Sequence, residues 1–271
     1  MSGWRLILRQ PPALRLDLTG LTPTALAALT AADVERLPIG HGNRTLPLGE
    51  FFSLQPGADD TLRLEGDLSC CDRVGWQMAG GQLVVDGSVG HYAGAGMTSG
   101  TLHVRGHAGL LAACEMAGGR LTVDGDVGDF AASTLPGSMD GMRGGTLVVA
   151  GNAGARFGDR MRRGTAVVFG HAGDFLASRM VAGTIALGGT AGAHLGYGMR
   201  RGSLVLASDG PPMPPPPTFV PAVADALVFW QLLSRDLARH GGPFAQLPKR
   251  RIERHLGDLA AGGKGELITV C

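Results

Sequence analysis

The segment MTSGTLHVRGHAG at residues 97–109 is followed by MAGGRLTVDGDVG at 116–128, MRGGTLVVAGNAG at 142–154, MRRGTAVVFGHAG at 161–173 and MVAGTIALGGTAG at 180–192. Aligned on methionine, the series runs Met78, Met97, Met116, Met142, Met161, Met180 and Met199, in steps of 19, 19, 26, 19, 19 and 19 residues. The one long step holds an insertion of seven residues within 133–141. A weaker copy starts near Thr61 (TLRLEGDLS) and a truncated one closes the series at 199–206 (MRRGSLVL). Repeats must be settled before any other reading. In T-L-x-V, Leu102 and Val104 share one face while Thr101 and His103 share the other, by the two-residue period of a strand. Leu121 with Val123, Leu147 with Val149 and Ile185 with Leu187 repeat the pattern. Glycines such as Gly100 and Gly106 bracket each strand, where positive φ or a close backbone approach is needed. Nineteen residues are too few for a strand–helix–strand crossover. They suit one coil of a β-helix, with equivalent strands stacked in parallel about 4.8 Å apart. The predicted fold is all-β: a right-handed parallel β-helix with coils of about 19 residues over 61–207.

A stack of coils exposes an edge at each end, and edges need caps. Residues 1–60 predict a mixed cap: strands over Trp4 to Arg9 and Leu14 to Leu18, and a helix from Pro23 with Thr22 as its N-cap. Beyond the coils, PPMPPPP at 211–217 predicts a stiff linker over 208–221. Ala222 to His240 reads as an amphipathic helix with Val223, Leu227, Trp230, Leu233 and Leu237 on its apolar face, stopped at Gly241-Gly242. Residues 222–271 thus form a helical appendage ending in a strand-like run from Leu267 to Val270, which serves as a cap or a docking arm.

The 271 residues include 45 glycines and 44% hydrophobic residues but only 5% aromatics, which describes short apolar strands joined by many tight turns. A formal net charge of +1 gives no global field for nucleic acid or an anionic membrane. Met1 to Gln10 has no apolar signal-peptide core, and no run of eighteen apolar residues occurs, so a cytoplasmic protein without a membrane span is expected. Cys70, Cys71, Cys114 and Cys271 form neither a disulfide framework nor a zinc-site spacing. Basic residues are nearly all Arg, with Lys only at 249 and 264; with abundant Ala, Gly and Pro this matches a GC-rich bacterial genome.

Apparent glycine motifs are corners of the coil. Gly94-Ala-Gly96 opens no helix, and Gly262-Gly263-Lys264-Gly265 lacks P-loop spacing. His107 and His171 occupy one place in the repeat but lie three rungs apart, about 14 Å, too far to share a metal. Asp126 and Asn152 fill that place between them, so a polar corner residue is the reading. The methionine stripe reads as core filler. No catalytic or metal-binding residue is expected. One feature suggests binding: Arg143, Arg162, Arg163, Arg200 and Arg201 follow the repeat methionines, and stacking puts all five on one side. Like charges on neighbouring rungs are unfavourable unless solvated or paired. They mark either a solvated edge or a docking strip for an acidic partner surface or a polyanionic ligand.

The run G-x-x-M-x-x-G-x-L-x-V-x-G-x-x-G, repeated from Gly75 to Leu206, resembles the Gly-x-Gly-x-Gly β-helix domain. That domain ends the large subunit of glutamate synthase and builds the C subunit of formylmethanofuran dehydrogenase. LPIGHGN at 37–43 followed by LGEFF at 48–52 resembles the lead-in to the coil in this C-subunit family; Gly141-Met-Arg-Gly-Gly145 and Gly151-Asn-Ala-Gly154 are similar too. The resemblance covers residues 35–207, and the proline-rich and helical C-terminal parts lie outside it.

The resemblance implies a non-catalytic structural or assembly subunit. Its bacterial branch is a formyltransferase/hydrolase complex, which moves a formyl group from formyl-tetrahydromethanopterin to a methanofuran-type carrier and hydrolyses it to formate. It implies partners: a formyltransferase subunit, a metal-dependent amidohydrolase-like subunit and a further subunit. The carrier and the metal would be held by partners, and no cofactor by this chain. The archaeal branch is a tungsten or molybdenum dehydrogenase, which the Arg-rich, Ala- and Pro-rich composition disfavours. Three other readings fit less well. A hexapeptide acyltransferase needs an apolar residue at every sixth position, and the pattern is absent. A polysaccharide lyase would carry a signal peptide. A glutamate synthase arm would not be preceded by its own cap.

Overall fold

A computed structural model describes residues 3–57, 59–208, 214–223 and 228–270. The N-terminal part contains β1 (Trp4–Leu8), β2 (Leu16–Asp17), α1 (Pro23–Leu26), α2 (Ala31–Glu35), β3 (Pro38–His41), β4 (Arg44–Pro47) and β5 (Phe52–Pro56). The repeats give β6 (Thr61–Glu65), β7 (Cys71–Asp72), β8 (Ala79–Asp86), β9 (Ser99–Val104), β10 (Arg120–Val123), β11 (Arg143–Val149), β12 (Arg163–Val168), β13 (Thr184–Leu187) and β14 (Arg201–Leu206). The C-terminal part adds β15 (Val220–Ala222), α3 (Val228–Ala238), β16 (Ile252–Gly257) and β17 (Lys264–Val270). The fold is mostly β, dominated by one 13-stranded sheet in the order β15-β16-β17-β14-β13-β12-β11-β10-β9-β8-β6-β1-β5.

Each repeat supplies one strand, and the register follows the sequence period. Leu83 pairs with Leu102, Leu102 with Leu121, Leu121 with Leu147, Leu147 with Ala166, Ala166 with Ile185 and Ile185 with Leu204, all in parallel. A second column of parallel bridges joins Leu68, Val89, Ala108, Val127, Ala153, Ala172 and Ala191. Between these columns the chain turns at polar corners, where each side chain accepts the next rung's amide. The Ser88 hydroxyl takes the His107 N–H (3.1 Å), His107 Nδ1 that of Asp126 (2.9 Å), Asp126 that of Asn152 (2.6 Å), Asn152 that of His171 (2.9 Å) and His171 Nδ1 that of Thr190 (3.0 Å). The polar corner read from His107 and His171 is therefore a ladder that satisfies amides the strands do not reach.

The interior is a stack of identical layers. Leu102, Val104, Leu121, Val123, Leu147 and Val149 point inward and are buried, as are all seven repeat methionines. The bracketing glycines divide into two kinds. Gly100, Gly119, Gly145, Gly164, Gly183 and Gly202 adopt positive φ. A Cβ at Gly119 would meet the Gly100 carbonyl oxygen at 2.7 Å and the Met97 methyl at 2.8 Å. Gly106 keeps ordinary φ, but its Cβ would lie 2.6 Å from the Ser88 amide nitrogen. One set serves φ and methionine packing; the other serves backbone approach.

Both ends of the sheet are closed by strands from outside the repeats. β1 lies parallel to β6 as an extra rung, and β5 runs antiparallel on its far side. At the other end β17 lies parallel to β14, with β16 and β15 antiparallel beyond it. Pro56 and Pro221 sit in the two edge strands, where a missing N–H costs no ladder bond and discourages further pairing. A smaller sheet, β4-β3-β2-β7, ties the N-terminal cap to the first repeats, reinforced by ion pairs of Arg15 with Asp72 and Arg73 with Asp17. The predicted N-cap holds: Thr22 accepts the Ala25 amide at the start of α1. Thr30 and Asp33 form a capping box on α2.

The C-terminal part differs from its reading. Residues 220–222 are strand, not linker or helix; residues 224–227 lie outside the described residues, and the described helix α3, Val228–Ala238, ends two residues before His240. Phe219, in the stretch read as linker, is buried in the core. Val223 is 72% exposed, because the chain pairs with β16 up to Ala222 and leaves the sheet there. Leu227, Pro211 and Pro212 lie outside the described residues. Trp230 and Leu237 do pack inward, against Val167, Ala186 and Val205 on the outer face of the sheet. α3 therefore covers a flank of the last rungs, while β15–β17 close the end.

Gly137 in the insertion also has positive φ, +85°, but a Cβ there meets nothing within 4 Å. Gly137→Ala should cost about 1 kcal/mol for the backbone conformation alone. Gly119→Ala adds overpacking against Met97 and should cost at least ~2 kcal/mol more, measured by denaturant unfolding.

Candidate functional site

The methionine-following arginines converge. Arg143, Arg162, Arg163, Arg200 and Arg201 line one cavity of about 630 Å³ together with Asp140, Val181 and Ala182. The stack causes this: Arg143 pairs in register with Arg163, and Arg201 with Lys264 on the capping strand. Lys264 therefore extends the strip by one rung. Linear spacing concealed it, because β17 enters the ladder from outside the repeat.

Two of the five arginines have acidic neighbours. Arg162 Nε lies 2.6 Å from Asp140, and Arg143 3.5 Å from Glu115. Arg163, Arg200 and Arg201 make no side-chain ion pair or hydrogen bond among the described residues. Unit charges one rung apart repel by just under ~1 kcal/mol in a water-like dielectric. Exposed side chains that splay into solvent tolerate that.

The cavity continues past the predicted strip. It shares Asp140, Arg162, Val181 and Arg200 with a second cavity of about 660 Å³, which adds Arg160 and Arg179. That one shares Met139, Arg160 and Arg179 with a third, of about 410 Å³, walled by the insertion 134–139. The three form one open groove crossing several rungs, with seven arginines against Asp140, Asp159 and Asp258. The sequence reading missed Arg160 and Arg179, which precede the repeat methionines rather than follow them.

Arg160 and Arg179 hold φ of 56° and 52° at a place that is Gly96 and Gly198 in two other repeats and Gln77 and Glu115, also at positive φ, in two more. A non-glycine residue there costs roughly 1–2 kcal/mol. Asp159 beneath them is almost fully buried and fixes Arg179 through two hydrogen bonds of 3.0 Å; it also accepts from the Ser178 hydroxyl at 2.5 Å. A buried carboxylate is tolerated when its oxygens are satisfied in this way. At the far wall, burial pushes the Asp258 carboxyl up. Hydrogen bonds from the Gly198 and Ala260 amides outweigh that and bring it below the usual range.

The groove holds charge but no nucleophile of evident reactivity. No cluster of three or more His, Cys, Asp or Glu able to hold a metal occurs among the described residues. Burial pushes the Cys71 thiol up to about 12, and burial likewise raises Cys114, which donates to the Phe130 carbonyl. Neither forms much thiolate at neutral pH. In a Cys271→Ser background, native protein at pH 7.5 should lose only the Cys70 thiol to a maleimide, with Cys71 and Cys114 labelled only after unfolding, as read by mass spectrometry.

No family model matches the chain. Over 76 residues it is 44% identical to the C subunit of the formyltransferase/hydrolase complex Fhc of Methylorubrum extorquens, covering 28% of this chain and 29% of that protein. Over 100 residues it is 33% identical to the C subunit of tungsten-containing formylmethanofuran dehydrogenase 2 of Methanothermobacter thermautotrophicus, covering 35% of this chain and 37% of that one. The aligned stretches thus span well under two thirds of these relatives. The structural comparison spans the whole. A chain in the crystal structure of the formyltransferase/hydrolase complex (FhcABCD) from Methylorubrum extorquens in complex with methylofuran matches with a TM-score of 0.90 and 42% identity, over 98% of this chain and 99% of that one. With sequence and fold agreeing over both chains nearly end to end, the chain belongs to the C-subunit family of formyltransferase/hydrolase and formylmethanofuran dehydrogenase complexes.

Proposed function

We propose that the chain is a non-catalytic assembly subunit of a formyltransferase/hydrolase complex. The complex transfers a formyl group from formyl-tetrahydromethanopterin to a methanofuran-type carrier and hydrolyses it to formate. The observation that carries this reading is the match over 98% and 99% of the two chains at 42% identity. The tungsten- and molybdenum-enzyme relatives align at lower identity, from 30% to 33%. In this reading a formyltransferase subunit, an amidohydrolase-like subunit and a further subunit surround the chain in the cytoplasm, and carrier and metal reside with them. No helix among the described residues is long and apolar enough to cross a membrane.

The architecture suits a scaffold. We infer that the repeats wind as a right-handed parallel β-helix: strands pair in parallel at the repeat step, a second bridge column keeps the same step, and parallel connections are right-handed as a rule. Such a coil is stiff along its axis and offers broad sides for docking. Arg143, Arg162, Arg163, Arg200 and Arg201 form the strip on which an acidic partner surface or polyanionic ligand would sit.

Tagged protein purified from its native host should bring down the formyltransferase and amidohydrolase-like chains in stoichiometric amounts, read by mass spectrometry. A molybdopterin-type catalytic chain in their place moves the protein to the dehydrogenase branch. Recovery of a monodisperse single chain overturns the reading. The double reversal Arg162→Glu/Arg200→Glu should lower recovery of a partner or bound anion about tenfold or more, since like-charge contact at an interface costs more than the ~1.4 kcal/mol per decade.

A further inference from the structure

The groove is not lined by charge alone. Met139 is 70% exposed and Tyr197 59%, and both line the stretch that holds Arg160, Arg162, Arg179 and Arg200. Phe130 and Leu135 extend this apolar margin along the insertion. The margin is braced. The Tyr197 ring stands edge-on to Phe175 with centroids 6.1 Å apart, Phe175 stacks on His194 at 4.6 Å, and the Arg156 guanidinium lies between Phe130 and Phe175. Arg179 is braced in turn by buried Asp159. Phe130, Arg156 and Phe175 occupy a corner place that adopts positive φ in every repeat from Arg73 to His194, so the run stacks in register along this face.

We propose that the groove seats an acidic polypeptide segment of a neighbouring subunit. The segment lies extended across the rungs, with carboxylates on Arg160, Arg162 and Arg200 and an apolar side chain between Met139 and Tyr197. This rests on the assembly reading above and names what its docking strip receives. Charge complementarity favours an anionic occupant, since seven arginines meet four carboxylates, Asp140, Asp159, Asp258 and the Glu115 beside Arg143, and Arg200 at the centre of the groove has no acidic ion-pair partner among the described residues. The exposed Met139 and Tyr197 favour a polypeptide over a bare polycarboxylate, which has nothing to place against them. The length fits as well. From Leu111 to Tyr197 the groove crosses four rung steps, about 19 Å, the reach of roughly six extended residues.

The test places a photo-crosslinking residue in the groove of the full-length tagged protein, as Tyr197→p-benzoylphenylalanine, expressed in the native host and irradiated before purification. The expected product is a cross-link to one polypeptide segment with at least two Asp or Glu within about six residues. Its yield should fall tenfold or more with Arg160→Glu/Arg200→Glu and hold with Arg36→Glu on the N-terminal cap. Thermal unfolding of each variant confirms that the fold survives. A cross-link to a non-peptide polycarboxylate overturns the proposal, as does one to a segment without acidic residues. Recovery of the intact complex with no cross-link overturns it too and leaves the groove a solvated edge. Failure of the assembly reading looks different: the formyltransferase and amidohydrolase-like chains are then missing from every preparation, cross-linked or not.

Discussion

An amide buried between two identical repeats has one kind of partner in reach, the carbonyl or side-chain oxygen at the matching place in the adjacent repeat. That constraint governs this molecule. The β9–β14 strands, the Leu68-to-Ala191 bridges and the Ser88-to-Thr190 corner ladder all obey one step. A change of register in one column would leave the others with unsatisfied donors, each costing about 1–3 kcal/mol. The methionine–glycine contact adds a steric version of the same rule. The first six repeat methionines each place their methyl where the following rung's glycine has no Cβ, from Met78 and Gly100 to Met180 and Gly202. Glycine content, methionine spacing and the 19-residue period are therefore consequences of one stacking geometry.

Such a stack has ends, and its flanks become sites or liabilities according to what covers them. The N- and C-terminal segments extend the ladder with β1 and β17, then turn antiparallel and finish on proline-bearing strands. α3 buries the outer face over β12–β14. The face carrying the arginine groove receives no covering element from the described residues. Position for position the repeat is permissive; what differs between rungs is the use made of the surface.

The repeat was legible because it is local and periodic: Met spacing alone placed the rungs, and T-L-x-V placed the inward face. The five arginines were legible for the same reason, since equal places in a repeat must stack. What escaped was non-periodic. Lys264 joins the strip through a strand 63 residues from its partner Arg201. Arg160 and Arg179 sit on the non-strand side of the methionine, where no hydrophobic alternation marks them. The covering of β12–β14 by α3 left no distinctive signal: AVV, IAL and LVL at 166–168, 185–187 and 204–206 are apolar throughout, the pattern of strands buried on both faces, but so is LVV at 83–85, where Val84 is only partly buried, and at 147–149. Ala222 was read into the helix because a polar–apolar rhythm cannot distinguish a helix start from the paired edge strand before it, and Pro221 suits either.

The seven-residue insertion shows how the stacking rule and the groove meet. Extra residues inside a strand would flip every later side chain across the sheet, and extra residues at the polar corner would break the amide ladder. On the remaining side, after Ser133, the chain can leave and return without disturbing either column. The Glu115 amide still donates to the Ser133 carbonyl, and the Met142 amide returns to that of Ala132. The excursion therefore leaves the register intact: Leu121 pairs with Leu147 although the step is 26. Its only structural product is a wall, 134–140, standing beside the first rung of the arginine strip, with Asp140 against Arg162 and Met139 over the groove. An insertion confined to the one position the stack tolerates, and built into the side of the charged face, makes that face a concave groove rather than a flat row of solvated charges.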